Sequence, residues 1–528
     1  MKEENEARSI SRRGFIKGSV AAGGLAAIAP LTACGSQQGV SPEDDGGEIS
    51  WDYEAEVVIV GSGLAGMSAA TEAIEAGASV IIVERFAELG GASGDSGKLV
   101  AWSSQLNLPQ PDPSVPEDSA DLLYKDMLAA GENKGDPEML KILADQSVDG
   151  INFLLDRGVA FQNVLKFAEG RQGQGTYAYD LHSGSPVSTL RELYLAAGGK
   201  LLTEMTMVDF VKKNDRIVGI IALDADGSKV NFKALKAVIM GTGVWVNDEM
   251  MIRKHWPTVP EDVLEAGQYY GNQGVPFGPY TGEAIRAGER IGVGTRQMST
   301  IACEGFYASF EYLKKGVAFA GLTRSPNELH VNLEGQRFID ESKCRGTLAA
   351  EVLKQTDHVY LVISDDHLVN GEYKMGYVND ETLDKWVADG DVKRADTFEE
   401  LAQQIHETWG VPTDALLETI HRYNSYCDDS VDPEFGKPDY FLWKIATPPY
   451  YAGPTMSVHP YPTLGGFDSD RDARVRDCDG TVIPGLYAAG LCAGGHLGTD
   501  GILGSFQADA LVFGRIAGKN AVAETPWA

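Results

Sequence analysis

The sequence predicts an α/β fold in which a split Rossmann-like domain is interrupted by an inserted α+β domain. Three observations carry this. A strand, glycine turn, helix, strand pattern occupies 56–85, EVVIVGSGLAGMSAATEAIEAGASVIIVER. A second strand ending on glycine, GLYAAGLCAGG, returns only at 485–495. Between them, 299–449 changes character, with scattered helical patterns and polar loops.

Taken in order, the N-terminus reads as an address. SRRGFIK (Ser11–Lys17) matches a twin-arginine export signal. The apolar run Gly18–Leu31 is too short to span a bilayer. LTAC (Leu31–Cys34) resembles a lipobox, whose cleavage leaves a lipidated Cys34. Residues 35–50 read as a flexible acidic tether. The expected organisation is a signal at 1–33, a tether at 34–50, a ligand-binding domain at 51–298 and 450–528, and the insertion at 299–449.

Residues 57–60 form an apolar β-branched strand, and SVIIVE (79–84) is a second buried strand. Between them Ala69, Ala70, Ala73, Ile74 and Gly77 keep one helical face small. A meander follows: MVDFVKK, a turn at Asn214–Asp215, IVGIIALD, a turn at Asp226–Gly227, KVNFKA, then AVIMGTG. Helices are expected at 348–355, 397–408 and 413–428.

GSGLAG (61–66) follows a strand, opens a helix and is followed by Glu84 at the end of the next strand. That context marks a dinucleotide site. Gly61 permits the tight turn, Gly63 lets backbone approach a pyrophosphate, and Gly66 packs helix on sheet. Glu84 accepts both ribose hydroxyls and repels a 2′-phosphate. A second small-residue loop, ELGGASGDSGK (88–98), suits a longer dinucleotide and favours FAD over NAD. Expected contacts are Gly61, Gly63, Ala65, Gly66, Glu84, Gly91, Ala92, Ser93, Gly97 and Lys98, with Gly243, Glu283 and Gly490. The 61 glycines follow no fixed period and suggest close backbone approach to a large ligand.

A net charge of −31 disfavours nucleic acid and anionic lipid headgroups. The six cysteines form no CxxC or CxxCH, so no covalent haem is encoded, and neither an iron–sulfur cluster nor another metal site is expected.

With GSGLAG, GGASGDSG, AVIMGTGVWVNDEM, GQRFIDESKCRG and IPGLYAAG…FGRIAG, the chain resembles the flavoprotein subunits of the fumarate reductase/succinate dehydrogenase superfamily. It looks nearest the exported fumarate-reductase-like branch, which includes urocanate reductases and is similar to 3-ketosteroid dehydrogenases. The resemblance implies a non-covalent FAD domain, a mobile capping domain, and hydride exchange between flavin N5 and an activated C=C bond. It places Gly504, Ser505 and Phe506 at the helix beneath the flavin ring. Arg345 falls on the family's proton-donating arginine and Arg324 on its relay arginine. Gly321 stands where the relay glutamate should be, with Glu304, Glu328 or water as substitutes.

The substrate positions depart from the family. Its carboxylate-binding arginine aligns with Gly501, its capping-domain histidine with Glu304, a neighbouring threonine with Ala320, and a flavin-contacting glutamate with Leu491. His459 lies near a second substrate histidine, and Tyr461 beside it. Fumarate should therefore bind badly. The expected activity is reduction of a neutral or aromatic unsaturated molecule as a terminal electron acceptor, fed by a separate cytochrome or quinol-linked donor. The alternatives are a 3-ketosteroid-type dehydrogenase and a flavin-binding or electron-transfer protein without catalysis.

Overall fold

The strand Tyr53–Val60 organises the rest. Its last four residues are at most 5% exposed, because neighbouring strands and helices on both faces cover it, as a parallel sheet requires. A computed structural model describes residues 49–527 apart from 95, 97, 103–117, 166–175, 180–184, 274–278, 316–326, 344 and 371–379.

Tyr53–Val60 pairs in parallel with Val80–Val83 and with Lys229–Met240. Lys200–Leu202 adds outside the first neighbour and Val482–Ala488 outside the second, both in parallel. The expected meander is present, with Arg216–Leu223 antiparallel to both Thr206–Lys213 and Lys229–Met240. Arg474–Arg476 completes an eight-stranded sheet. A strand from beyond residue 480 thus stands beside strands from the first half, so the Rossmann-like sheet is split in sequence as expected.

Alternation sends Val58 and Val60 into one apolar cluster and Val57 and Ile59 into the opposite one. The second cluster holds the opening helix Leu64–Glu75 and the closing helix Ser505–Ala523. They meet through small residues: a Cβ on Gly514 or Gly518 would overlap the carbonyls of Ala65 and Ala69. The two contacts advance together along both helices, so the helices run parallel and their N-termini face the same end. Nine residues separate Ser505 from Gly514, so the closing helix starts roughly 14 Å ahead of Ala65.

The inserted region carries a six-stranded sheet. Ile301–Ala308, Met456–Thr463, Val359–Asp365, Tyr450–Ala452 and Lys393–Ala395 are hydrogen-bonded in that order, with Leu329–Val331 against Val359–Asp365. Two of these strands lie past residue 449, so the sheet extends beyond the boundary expected there. The returning chain adds strands before it leaves, and no change of composition marks the exit. Helices Phe398–Trp409 and Thr413–Asp429 bury Leu401, Ile405, Leu416 and Ile420 against Leu329, Val331, Leu361 and Ile363. Thr397 caps the first of them and Gly410 ends it at φ +76°. The helix Arg345–Val352 packs on Ile301–Ala308.

Candidate active site

The cradle begins at the first glycine turn. Gly61 has φ +104°, and a Cβ there would overlap the Gly241 carbonyl. A Cβ on Gly66 would overlap the Gly61 carbonyl. The protein's own packing therefore demands both. Gly63 differs: its φ of −66° suits any residue, and a Cβ would approach nothing nearer than Gly90 O at 3.5 Å. Gly63 is the N-cap of the opening helix, no side chain caps that end, and its first turn carries no acidic residue. An uncapped helix N-terminus behind a bare glycine face fits a phosphate. On this observation the residues present fit the pyrophosphate of FAD.

Glu84 is 6% exposed, and its carboxylate is already engaged. Oε2 accepts from Ser62 N (2.8 Å) and Ser62 Oγ (2.6 Å), and Oε1 accepts from Phe86 N (3.0 Å). A carboxylate has about four acceptor positions. Room remains for about one ribose hydroxyl, not the two expected. Gly90 N donates to Ser62 Oγ at 3.0 Å, so one hydroxyl ties the two glycine-rich loops together. Ser62 carries no local signal of this role beyond its place between two glycines.

Ala65 lies against Gly514, and Gly490 (φ +69°) brings a bare face to Ala65 Cβ. Gly91, Ala92 and Ser93 form a short helix, Gly91–Gly94, and Lys98 opens the strand Lys98–Val100. Gly97 and the Lys98 side chain lie outside the described residues. At Gly243 (φ +69°) no atom of the described residues beyond its chain neighbours stands within 4 Å of an added Cβ. Glu283 is held by Thr281 Oγ1, which donates at 2.6 and 2.8 Å, and by Arg85 Nη1 at 3.2 Å.

In the loop 493–504, the backbone that approaches most glycines is the protein's own. Gly494 faces the Arg296 carbonyl, Gly498 (φ +84°) the Gly131 carbonyl, and Gly504 (φ +88°) Val100 N. This corrects, for that stretch, the expectation that its glycines mark a large ligand. Ser505 Oγ donates to the Ile502 carbonyl at 2.8 Å, and no side chain caps the closing helix that starts there. A buried relay anchors the loop: His496 Nδ1 lies 2.8 Å from Asp509 Oδ1 and Nε2 3.2 Å from Ser469 Oγ. All three side chains are at most 3% exposed. No sequence signal marked them beyond polar residues in an apolar setting.

On the capping side, the RFIDESKCR run is locked by charge. Arg337 donates to Glu341 through Nε (2.9 Å) and Nη2 (2.8 Å), and to Asp432 through Nη1 (2.8 Å). Lys437 Nζ lies 3.1 Å from Glu341 Oε2. Burial pushes the Glu341 carboxyl up, but Lys437 and Arg337 outweigh it and hold it at about 2. Lys437 itself is held below its ordinary value by burial, which Glu341 only partly offsets. Asp340 Oδ1 accepts from Ser342 N and Oγ, tightening the same turn. Glu328 sits in this neighbourhood, with its carbonyl accepting from Lys437 Nζ (3.0 Å) and its carboxylate 3.8 Å from His330 Nε2.

Four residues past Glu341, Arg345 is 6% exposed. Its Nη2 donates to the Gly501 carbonyl at 3.3 Å, and its guanidinium carbon stands 5.3 Å from the Phe506 ring centre. Asp500 bridges the same junction, accepting from Gly346 N and Gly501 N, each at 2.7 Å. Arg345 and the 500–506 stretch are thus brought together. Glu304 and His459 are register partners on adjacent strands. His459 is 1% exposed, and its Nε2 lies 3.3 Å from the Ala308 carbonyl. The Glu304 side chain, Ala320, Gly321 and Arg324 lie outside the described residues. No cluster of metal-ligating side chains is found among the described residues.

Residues 56–502 match the family described as FAD binding domain. Urocanate reductase of Eggerthella lenta is 28% identical, over 89% of this chain and 75% of its own length. Vinyl phenol reductase of Lactiplantibacillus plantarum is 27% identical over 89% of this chain and 97% of its own. NADH:acrylate oxidoreductase of Vibrio harveyi is 26% identical over 88% of this chain, which spans only 50% of that relative. Among solved structures, the open conformation of a flavocytochrome c3 fumarate reductase superposes with a TM-score of 0.68 at 25% identity. That match covers 90% of this chain and 79% of the other.

Proposed function

The chain belongs to the FAD binding domain family, in the fumarate reductase/succinate dehydrogenase flavoprotein superfamily, and is an FAD-dependent oxidoreductase; from that premise we propose that it reduces the activated C=C bond of a neutral or aromatic small molecule rather than fumarate. Held by the glycine turns, FAD reduced by a separate donor would supply a hydride from N5 to one carbon of the double bond.

The substrate class rests on one observation, the wall at 500–501. A dicarboxylate needs a cationic partner at each end in a dry site. The position that resemblance assigns to an arginine is Gly501, and a Cβ there would overlap Ser505 Oγ and stand 2.7 Å from Phe506 Cε1. Protein fills that space, and the residue beside it, Asp500, is a buried carboxylate. Arg345 alone stands at this end, and Asp500 offsets its charge, so a second carboxylate placed there is poorly compensated. The relative named for vinyl phenol makes an uncharged unsaturated compound a natural candidate, whereas urocanate and acrylate are carboxylates.

Arg345 gives a proton to the neighbouring carbon. Its guanidinium is desolvated between the Gly501 carbonyl and Phe506. Desolvation and a relay are both needed, since an arginine in water keeps its proton. Arg324 and Glu304 belong to that relay, and His459 orients the substrate. The reduction serves respiration: a separate cytochrome or quinol-linked donor passes electrons to the protein, which is exported by the twin-arginine route and held at the membrane by lipid on Cys34 alone. The SRRGFIK and LTAC motifs support this placement.

The test is anaerobic oxidation of a chemically reduced viologen dye by the FAD-loaded protein, scanned across enones, vinyl phenols and fumarate. Turnover should favour the best neutral compound over fumarate by about a thousandfold, the equivalent of roughly 4 kcal/mol. Equal use of fumarate would overturn the reading. Membrane release of a Cys34→Ser variant tests the anchor.

A further inference from the structure

We propose that Asp500 is a specificity-determining residue of this site: its buried carboxylate takes the place beside Arg345 that a substrate carboxylate would claim, so the pocket admits uncharged substrates and rejects their acids. The proposal rests on the reading that the 500–506 stretch and Arg345 border the substrate.

Asp500 is 4% exposed and both of its oxygens are committed. Oδ2 accepts from Gly346 N, the residue directly after Arg345, and Oδ1 accepts from Gly501 N, each at 2.7 Å. The helix Arg345–Val352 has no acidic residue in its own first turn. It takes its carboxylate instead from a loop in the other part of the chain, at a sequence separation of 154. The surroundings make room for this carboxylate. A Cβ on residue 346 would stand 2.9 Å from Asp500 Oδ2, so only glycine leaves the space. The negative charge is felt nearby: burial pushes the Cys303 thiol up to about 12, and Asp500 adds to the effect. One unit charge about 5 Å away is worth roughly a hundredfold at the effective dielectric of a partly buried site, so Asp500 offsets the pull that Arg345 would otherwise exert on a substrate carboxylate.

The experiment compares cinnamate with its methyl ester, which differ in charge but share the double bond and ring. With FAD-loaded wild type, kcat/KM should favour the ester by about a hundredfold. Asp500→Asn, which keeps the shape and an acceptor oxygen, should bring the ratio to within about tenfold of unity, through KM for the acid. Asp500→Glu, which keeps the charge, should retain the preference. Gly346→Ala, which also keeps the charge, should retain the preference, and Asp500→Ser, which removes it, should shift the ratio as Asn does, which keeps the test open if Asp500→Asn folds poorly.

A wild type that uses acid and ester alike, or an Asn ratio equal to wild type, overturns the proposal. If neither compound turns over, the reductase reading fails, yet binding still decides this one. Cinnamate should raise the Tm of Asp500→Asn and leave that of wild type unmoved; equal shifts overturn it.

Discussion

Replacing Arg337 with methionine leaves Glu341, Asp432 and Lys437 behind, three side chains at 0% exposure with one more negative charge than positive. The lost guanidinium made a two-pronged contact with Glu341 and a third bond to Asp432. Breaking a buried ionic network on one side costs about 3–5 kcal/mol. The charge-balanced double variant Arg337→Met/Asp432→Asn keeps the Lys437–Glu341 pair and should lose less than Arg337→Met alone, a coupling of about 1–3 kcal/mol. Acid supplies an independent check. Glu341 titrates at about 2 in the fold against an ordinary 4.5. Its folded value lies below its unfolded one, so its contribution is present above pH 4.5 and is lost as pH falls towards 2. The difference corresponds to about 3 kcal/mol. Urea unfolding of wild type and both variants from pH 7 down to pH 3 reads all of this. A loss below about 1 kcal/mol for Arg337→Met at pH 7 would refute the reasoning. So would a wild-type advantage that fails to narrow on acidification.

Glu84→Gln should weaken FAD binding by about 10- to 100-fold in a flavin fluorescence titration, because charge-assisted bonds from Ser62 are lost and the two glycine loops loosen. An unchanged Kd would contradict the tie between those loops. Gly514→Ala gains about 1 kcal/mol of helix propensity but forces a Cβ to 2.5 Å from the Ala65 carbonyl, so Tm should fall. A raised Tm would mean that the two helices can part. Cys303, buried and with its thiol at about 12, should resist a thiol reagent at pH 8 while exposed Cys478 reacts. Rapid native labelling of Cys303 would show that the junction opens. Arg345→Ala should abolish dye-linked reduction without loss of bound flavin, and retained turnover would remove it from proton transfer.

The parts legible in the sequence were those written locally. The strand at 57–60, the GSGLAG turn and the meander each declare themselves within a dozen residues by period, glycine and turn chemistry. Helices expected at 397–408 and 413–428 appear at Phe398–Trp409 and Thr413–Asp429, because caps and apolar spacing lie within the segment. What depends on distant partners was not legible. Ser62 gains its role from Glu84 and Gly90, Asp500 from Gly346, and His496 from Ser469 and Asp509. Nor was the sheet joined by Tyr450–Ala452 and Met456–Thr463, which choose their partners among strands far back in the chain.

The pairing of Leu486 with Val238 joins stretches about 250 residues apart, and the closing helix comes later still. During synthesis the ribosome therefore makes everything up to about residue 480 before the flank of the central sheet is sealed. Long loops must close before that pairing stabilises anything, which makes assembly slow. A nascent chain ending before residue 482 therefore holds the GSGLAG turn without the strand and closing helix that pack beside it.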